Sequence, residues 1–140
     1  MLRQKGHRPN LIWPGDYRVR FYSDTLATTD QMITQQPERI SRFLRATLKG
    51  WQTAIGNPAA TVDIVLRHAL IQDRSLQTAM FDAMIPLVHT GEDNIGWMDA
   101  NTWQEMHRVF VEQGIIDRPL DPVEQLYTMR FLEEIYGDEE

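Results

Sequence analysis

From residue 28 to the end of the chain, apolar positions recur every three or four residues, the spacing of amphipathic helices. "TTDQM" offers a capping box of Thr28 with Gln31, or Asp30 as the cap, and predicts a short helix to Gln36. Pro37 suits the first turn of the next helix, where its missing N–H would have no partner anyway. Ile40, Phe43, Leu44, Thr47, Leu48, Trp51, Ala54 and Ile55 then form one stripe, with Arg39, Arg42, Arg45 and Lys49 off it. Gly56 closes that helix, and Asn57-Pro58 cap and open another with Val62, Val65, Leu66, Ala69 and Leu70 inward. Asp73 caps a fourth helix carrying Leu76, Met80, Ala83, Met84 and Leu87, in which Pro86 predicts a kink or an early end. Residues 89–101 read as a loop. Thr102 to Gln113 form a fifth helix with Trp103, Met106 and Phe110 inward and Gly114 as terminator. Asp121-Pro122-Val123-Glu124 opens a last helix through Tyr136.

The first 28 residues follow another rhythm. Leu2 to Lys5 look like the end of a helix closed by Gly6, and "PGD" at Pro14 to Asp16 marks a turn. In Tyr17 to Thr28, Val19 and Phe21 alternate with Arg18, Arg20 and Tyr22, a period of two that predicts extended structure. Two or three strands are expected near the N-terminus and none later. So few strands make a poor sheet by themselves, because a small sheet needs three or more strands and a covered face. The pattern therefore predicts an α/β chain, mostly helical, whose strands pair with others elsewhere.

Composition narrows the function. A net charge of −6 over 140 residues argues against nucleic acid, which needs clustered basic charge. No apolar run approaches the ~18 residues of a membrane span. "MLRQKGHRPN" has basic residues without a following apolar stretch, so it does not read as a secretory signal. With no cysteine there is no disulfide framework, thiol nucleophile or thiolate metal site.

The order of motifs then becomes informative. Tyr22-Ser23-Asp24-Thr25-Leu26, Thr28-Thr29-Asp30, Gln36-Pro37-Glu38, "FLRATLKGW" at Phe43 to Trp51, and Asn57-Pro58-Ala59-Ala60-Thr61-Val62 succeed one another. "IGWMD" at Ile95 to Asp99, Trp103, and "LYTMRFL" at Leu126 to Leu132 follow. As a set they resemble substrate-binding proteins of bacterial ABC transporters, in the subgroup for thiamine-pyrimidine precursors, nitrate, sulfonates and taurine. Arg18 stands where that family usually has Gly, and Ala59-Ala60 replace its usual acidic pair.

The resemblance implies the C-terminal portion of a two-lobed, type II periplasmic-binding-protein-like fold that closes on its ligand as a hinge. Members are roughly twice as long, so the expectation is that this chain corresponds to their C-terminal half. Residues 1–20 would end the second lobe and start the crossover, and 21–140 would form the helical part of the first lobe. The implied partners are a small-molecule ligand, an ABC permease and a missing N-terminal lobe. The implied location is periplasmic, or membrane-anchored and extracytoplasmic.

Within the crossover, Asp16, Tyr17, Tyr22, Asp24 and Thr25 combine aromatic faces with polar tips, as a pocket requires. A pyrimidine could stack on a Tyr and hydrogen-bond to a carboxylate, whereas an oxyanion would prefer N–H groups, hydroxyls or Arg18 and Arg20. His7, His68, His89 and His107 lack metal-ligand spacing, and "EDNIG" at Glu92 to Gly96 lacks the calcium-loop pattern. No Walker loop, nucleophile elbow or dinucleotide fingerprint occurs. Adjacent acids such as Glu133-Glu134 do not form an acid/base pair. No cofactor or metal is expected, and the leading reading is a binding protein, not an enzyme. A thiamine-pyrimidine synthase shares the implied fold but carries a cysteine-rich motif that this sequence lacks. A non-transport interaction module is the third reading.

Overall fold

The computed structural model describes residues 2, 6–17, 19–91 and 93–137. Six α-helices run in order: α1 Asp30–Gln35, α2 Pro37–Gly56, α3 Pro58–His68, α4 Arg74–Val88, α5 Ala100–Glu112 and α6 Arg130–Gly137. Among the described residues, two 3₁₀ turns, Pro14–Tyr17 and Val123–Leu126, complete the regular structure. Of the described residues 62% are helical, the 3₁₀ turns included, and no strand occurs among them. Two compact units divide the chain. One gathers the described residues of Met1–Thr28 and Met98–Met129, the other those of Thr29–Trp97 and Arg130–Glu140.

The second unit is a helical assembly in which α1 and α3 pack on α2, α4 packs on α3, and α6 packs on α2. Its buried apolar residues are Leu48, Val62, Leu76, Phe81, Ile95, Phe131, Leu132 and Ile135. Burying each of the larger ones contributes about 1.5–3 kcal/mol. The helix ends follow local chemistry. Thr29 accepts from the Met32 N–H at 3.1 Å, Asn57 from Ala60 at 3.2 Å, and Asp73 from Leu76 at 3.0 Å. Asn57-Pro58 and Asp73 act as the sequence predicts, but the α1 cap is Thr29 and not Thr28 or Asp30. Gly96 takes φ +84°, and a Cβ there would meet Leu48 and Leu132 only at ordinary distances, so backbone conformation is what favours glycine.

The predicted stripe of α2 is present but thinly covered. Leu48 is buried, Ile40, Leu44, Thr47, Trp51, Ala54 and Ile55 are half-buried, and Phe43 is 58% exposed. Arg39, Arg42, Arg45 and Lys49 lie on the outer face as expected. The predicted inner face of α4 needs correction: Leu76 and Phe81 are buried, while Met80 and Leu87 are exposed. Apolar residues surround much of α4, so periodicity alone leaves several faces open, and packing on α3 selects the Leu76–Phe81 side. Leu70, also expected inward, is fully exposed beyond the end of α3. Pro86 lies inside α4, which ends two residues later.

In the first unit α5 is the organising element, with the 3₁₀ turn Val123–Leu126 packed on it. Its C-terminus closes by two back-bonds around Gly114 at φ +68°: Gly114 N–H to Val111 at 3.0 Å and Ile115 N–H to Phe110 at 2.8 Å. The expected single helix from Asp121 to Tyr136 is broken. A 3₁₀ turn is followed by Tyr127 in extended conformation, with α6 starting at Arg130. Ring stacking of Tyr127 outweighs the helical preference there.

The expected N-terminal strands are corrected too. Residues after Val19 run without regular structure or a ladder partner, and the Tyr22 N–H goes to the Met106 sulfur at 3.1 Å. Phe21 stacks on Phe110 with centroids 5.7 Å apart. The alternation is met by packing on a helix in place of a sheet. Gly6 adopts φ +81°, as expected for a left-handed closure. Residues 3–5, Arg18, Glu92 and the acidic tail lie outside the described residues, so the readings placed on them do too.

Candidate functional site

The five residues expected to contact ligand all fall in the first unit. Asp16 and Tyr17 sit on the first 3₁₀ turn, which is held by Asp16 N–H to Trp13 and Val19 N–H to Pro14, both at 3.0 Å. Tyr17 is 69% exposed, and Asp16, Asp24 and Thr25 are exposed. Tyr22 is half-buried and alone among the five joins a cluster. No hydrogen bond, ion pair or ring contact links the other four to it among the described residues.

The cluster is aromatic. Tyr22 tilts against Trp103 at 5.7 Å and 47°, and Tyr127 stacks on Trp103 at 5.1 Å and 2°. Rings at these separations attract beyond the area they bury. The Tyr22 hydroxyl accepts from the Asp99 N–H at 2.6 Å, and its backbone is tied to Met106 on the same helix. Asp99 caps α5, accepting from the Thr102 N–H at 2.8 Å and the Thr102 hydroxyl at 3.0 Å. These two bonds hold its carboxyl below the usual value, against a small opposing effect of burial, and Arg20 adds a minor pull in the same direction. The Tyr127 phenol is pushed up, first by burial and then by the nearby Glu124 and Asp99 charges.

Around the cluster, His107 Nε2 accepts from the Leu120 N–H at 2.9 Å, and Gln104 donates to Glu124 at 3.2 Å. Arg108 bridges Glu105 and Glu112 on the open face of α5, which raises its already high pKa. The indole Nε1 of Trp103 is buried with no hydrogen-bond partner. The result is a packed aromatic cluster holding one buried indole donor that has no hydrogen-bond partner. No group of three or more metal-binding side chains occurs among the described residues. An open depression of about 440 Å³ in the second unit, beside His89, Asp93, Asn94 and Trp97, contains none of the five residues.

Sequence reading placed Trp103 as core and gave Tyr127 and Asp99 no role at a site. A signal did exist. Asp99 lies one turn before Trp103 and His107 one turn after, so the polar groups on that face of α5 could be named from spacing. In the fold, Asp99 Oδ2 accepts from Thr102 and His107 Nε2 accepts from the Leu120 N–H.

Comparison with known proteins agrees with the motif order. Residues 1–61 match the family described as NMT1/THI5 like. The chain is 26% identical over 137 residues to the riboflavin-binding protein RibY of Chloroflexus aurantiacus, covering 94% of this chain and 38% of that protein. It is 24% identical over 113 residues to the formylaminopyrimidine-binding protein of Halalkalibacterium halodurans, covering 76% of this chain and 34% of that one. The chain thus spans between a third and two fifths of the curated relatives it matches. The resemblance to substrate-binding proteins of the NMT1/THI5-like family holds, at low identity. Both relatives are named as binding proteins. No solved structure gives a significant match. No helix among the described residues is long and apolar enough to cross a membrane.

Proposed function

We propose that this chain serves as part of the solute-binding component of an ABC importer, capturing a small planar solute and presenting it to a permease. The reading is carried by colinear similarity over 94% of the chain to a riboflavin-binding protein. The aromatic cluster around Tyr22 supports it, because flat heterocycles are held by ring faces and oriented by a few polar groups. Asp16, Tyr17, Asp24 and Thr25 line the approach to Tyr22 in this proposal, on a crossover that leads from the second lobe into the first. The thinly covered apolar faces of α2 and α4 meet the receptor's remaining lobe, and the receptor works outside the cytoplasmic membrane. Function then consists of binding and closure with no bond chemistry.

Isothermal titration of the full chain with riboflavin, a formylaminopyrimidine, taurine and nitrate tests the proposal. The expected result is saturable one-site binding of a heteroaromatic solute and none of taurine or nitrate. Absence of binding by all four overturns it.

A further inference from the structure

We propose that the Trp103 indole N–H is a specificity-determining donor, kept for a carbonyl oxygen or ring nitrogen of a planar heteroaromatic solute. This rests on the solute-binding reading above and adds the atom that selects the ligand.

Buried polar groups in folded proteins are nearly always paired, so an unpaired one calls for an explanation. Trp103 Nε1 is such a group. Poor packing does not explain it, since Tyr127 stacks flat on the indole and Tyr22 leans against it. Tyr22 is itself fixed through both its backbone N–H and its hydroxyl. The indole is therefore held in place and cannot turn toward another acceptor. Of the polar groups one turn away along α5, Asp99 Oδ2 takes both Thr102 donors and His107 Nε2 takes the Leu120 N–H, and neither bonds the indole. What remains is a rigid donor with no acceptor facing it.

An indole N–H only donates, so its partner must bring a lone pair. The aromatic surroundings favour a ring system, and a ring bearing carbonyl or pyridine-like nitrogen satisfies both demands. Such a pairing discriminates well, because a ligand without the acceptor leaves the buried donor unmet. For an acceptor to reach the buried nitrogen, a covering side chain must give way. Tyr127, on the extended link after the 3₁₀ turn, lies flat on the indole face and steadies the ring, while the in-plane N–H is reached along the ring edge.

The test is indole ¹⁵N–¹H spectroscopy of the full chain during titration with riboflavin, the Trp103 signal being assigned by its loss in W103F. Riboflavin should move that signal downfield by more than those of Trp13, Trp51 and Trp97. W103F keeps a ring for stacking but lacks the donor, and should weaken riboflavin binding roughly threefold to tenfold. Should W103F fail to fold, Y127A gives the second readout: it removes the stacked ring and keeps the donor, and the Trp103 signal, assigned then as the one retained in W13F, W51F and W97F, should still shift with riboflavin. Riboflavin binding with an unmoved Trp103 signal and an unchanged W103F affinity overturns the inference while leaving solute binding intact. A shift caused by nitrate or taurine and not by riboflavin overturns the ligand class. No binding of any of these solutes removes the solute-binding reading and this inference together.

Discussion

Ile135 in the second unit is 2% exposed and lies in a core shared with Leu48, Phe131 and Leu132, where position is set by shape and exclusion of water. Tyr22 in the first unit is half-buried and held by a 2.6 Å hydrogen bond, a sulfur contact and one neighbouring ring. Among the described residues eight apolar side chains are buried in the second unit, whereas Met106 is the buried apolar side chain of the first. The contrast separates scaffold from site. Aliphatic packing is non-directional and cooperative, which suits a support. A few directional contacts between aromatic and polar groups fix orientation yet leave surface available, which suits recognition.

The widest test of that contrast is to hollow the aliphatic core. Phe131→Ala should cost about 3–5 kcal/mol and Ile135→Ala about 2–5 kcal/mol, enough to remove most of a small domain's stability. Urea titration followed by circular dichroism would show it, and a loss below about 1 kcal/mol would mean that the core is not what holds the second unit. Next in size, Asp73→Ala removes the α4 cap and should cost about 1 kcal/mol in the same titration.

In the aromatic unit, Tyr22→Phe keeps the ring and loses the acceptor for the Asp99 N–H, for an expected loss of about 0.5–1.5 kcal/mol. Riboflavin binding weakened by this variant while the urea midpoint falls by no more than that loss would sharpen the division between scaffold and site. A smaller effect comes with pH. The Asp99 carboxyl is lowered in the folded state by the Thr102 bonds, so its contribution is complete above the unfolded value near 3.8 and is lost as pH falls through the folded value. Titration of the Thr102 amide by NMR should therefore show a midpoint below 3.8. The smallest effect is expected for Arg108→Ala. Its two glutamate partners are exposed, and such pairs add little, so the urea midpoint should not move measurably.

What could be read from the sequence was mostly local. Asn57-Pro58, Asp73 and Gly114 act within one turn of themselves, and their chemistry requires no knowledge of the remaining fold. Alternation in residues 19–22 reported two faces but not what covers them, and a helix took the place of the expected sheet. Tyr127 broke a well-capped helical pattern because its stacking partner lies 24 positions away, outside any local window. At the candidate site, Tyr22 was visible as an aromatic with a polar tip. Trp103 was not, because spacing shows that a side chain faces inward and cannot show that its donor is left unpaired.

Hydrogen exchange of the full chain with and without riboflavin tests the central claim most directly. The account predicts added protection at residues 17–25 and 99–106, with the helices of the second unit unchanged. Protection confined to α3 and α4, or no change anywhere at saturating riboflavin, would contradict it.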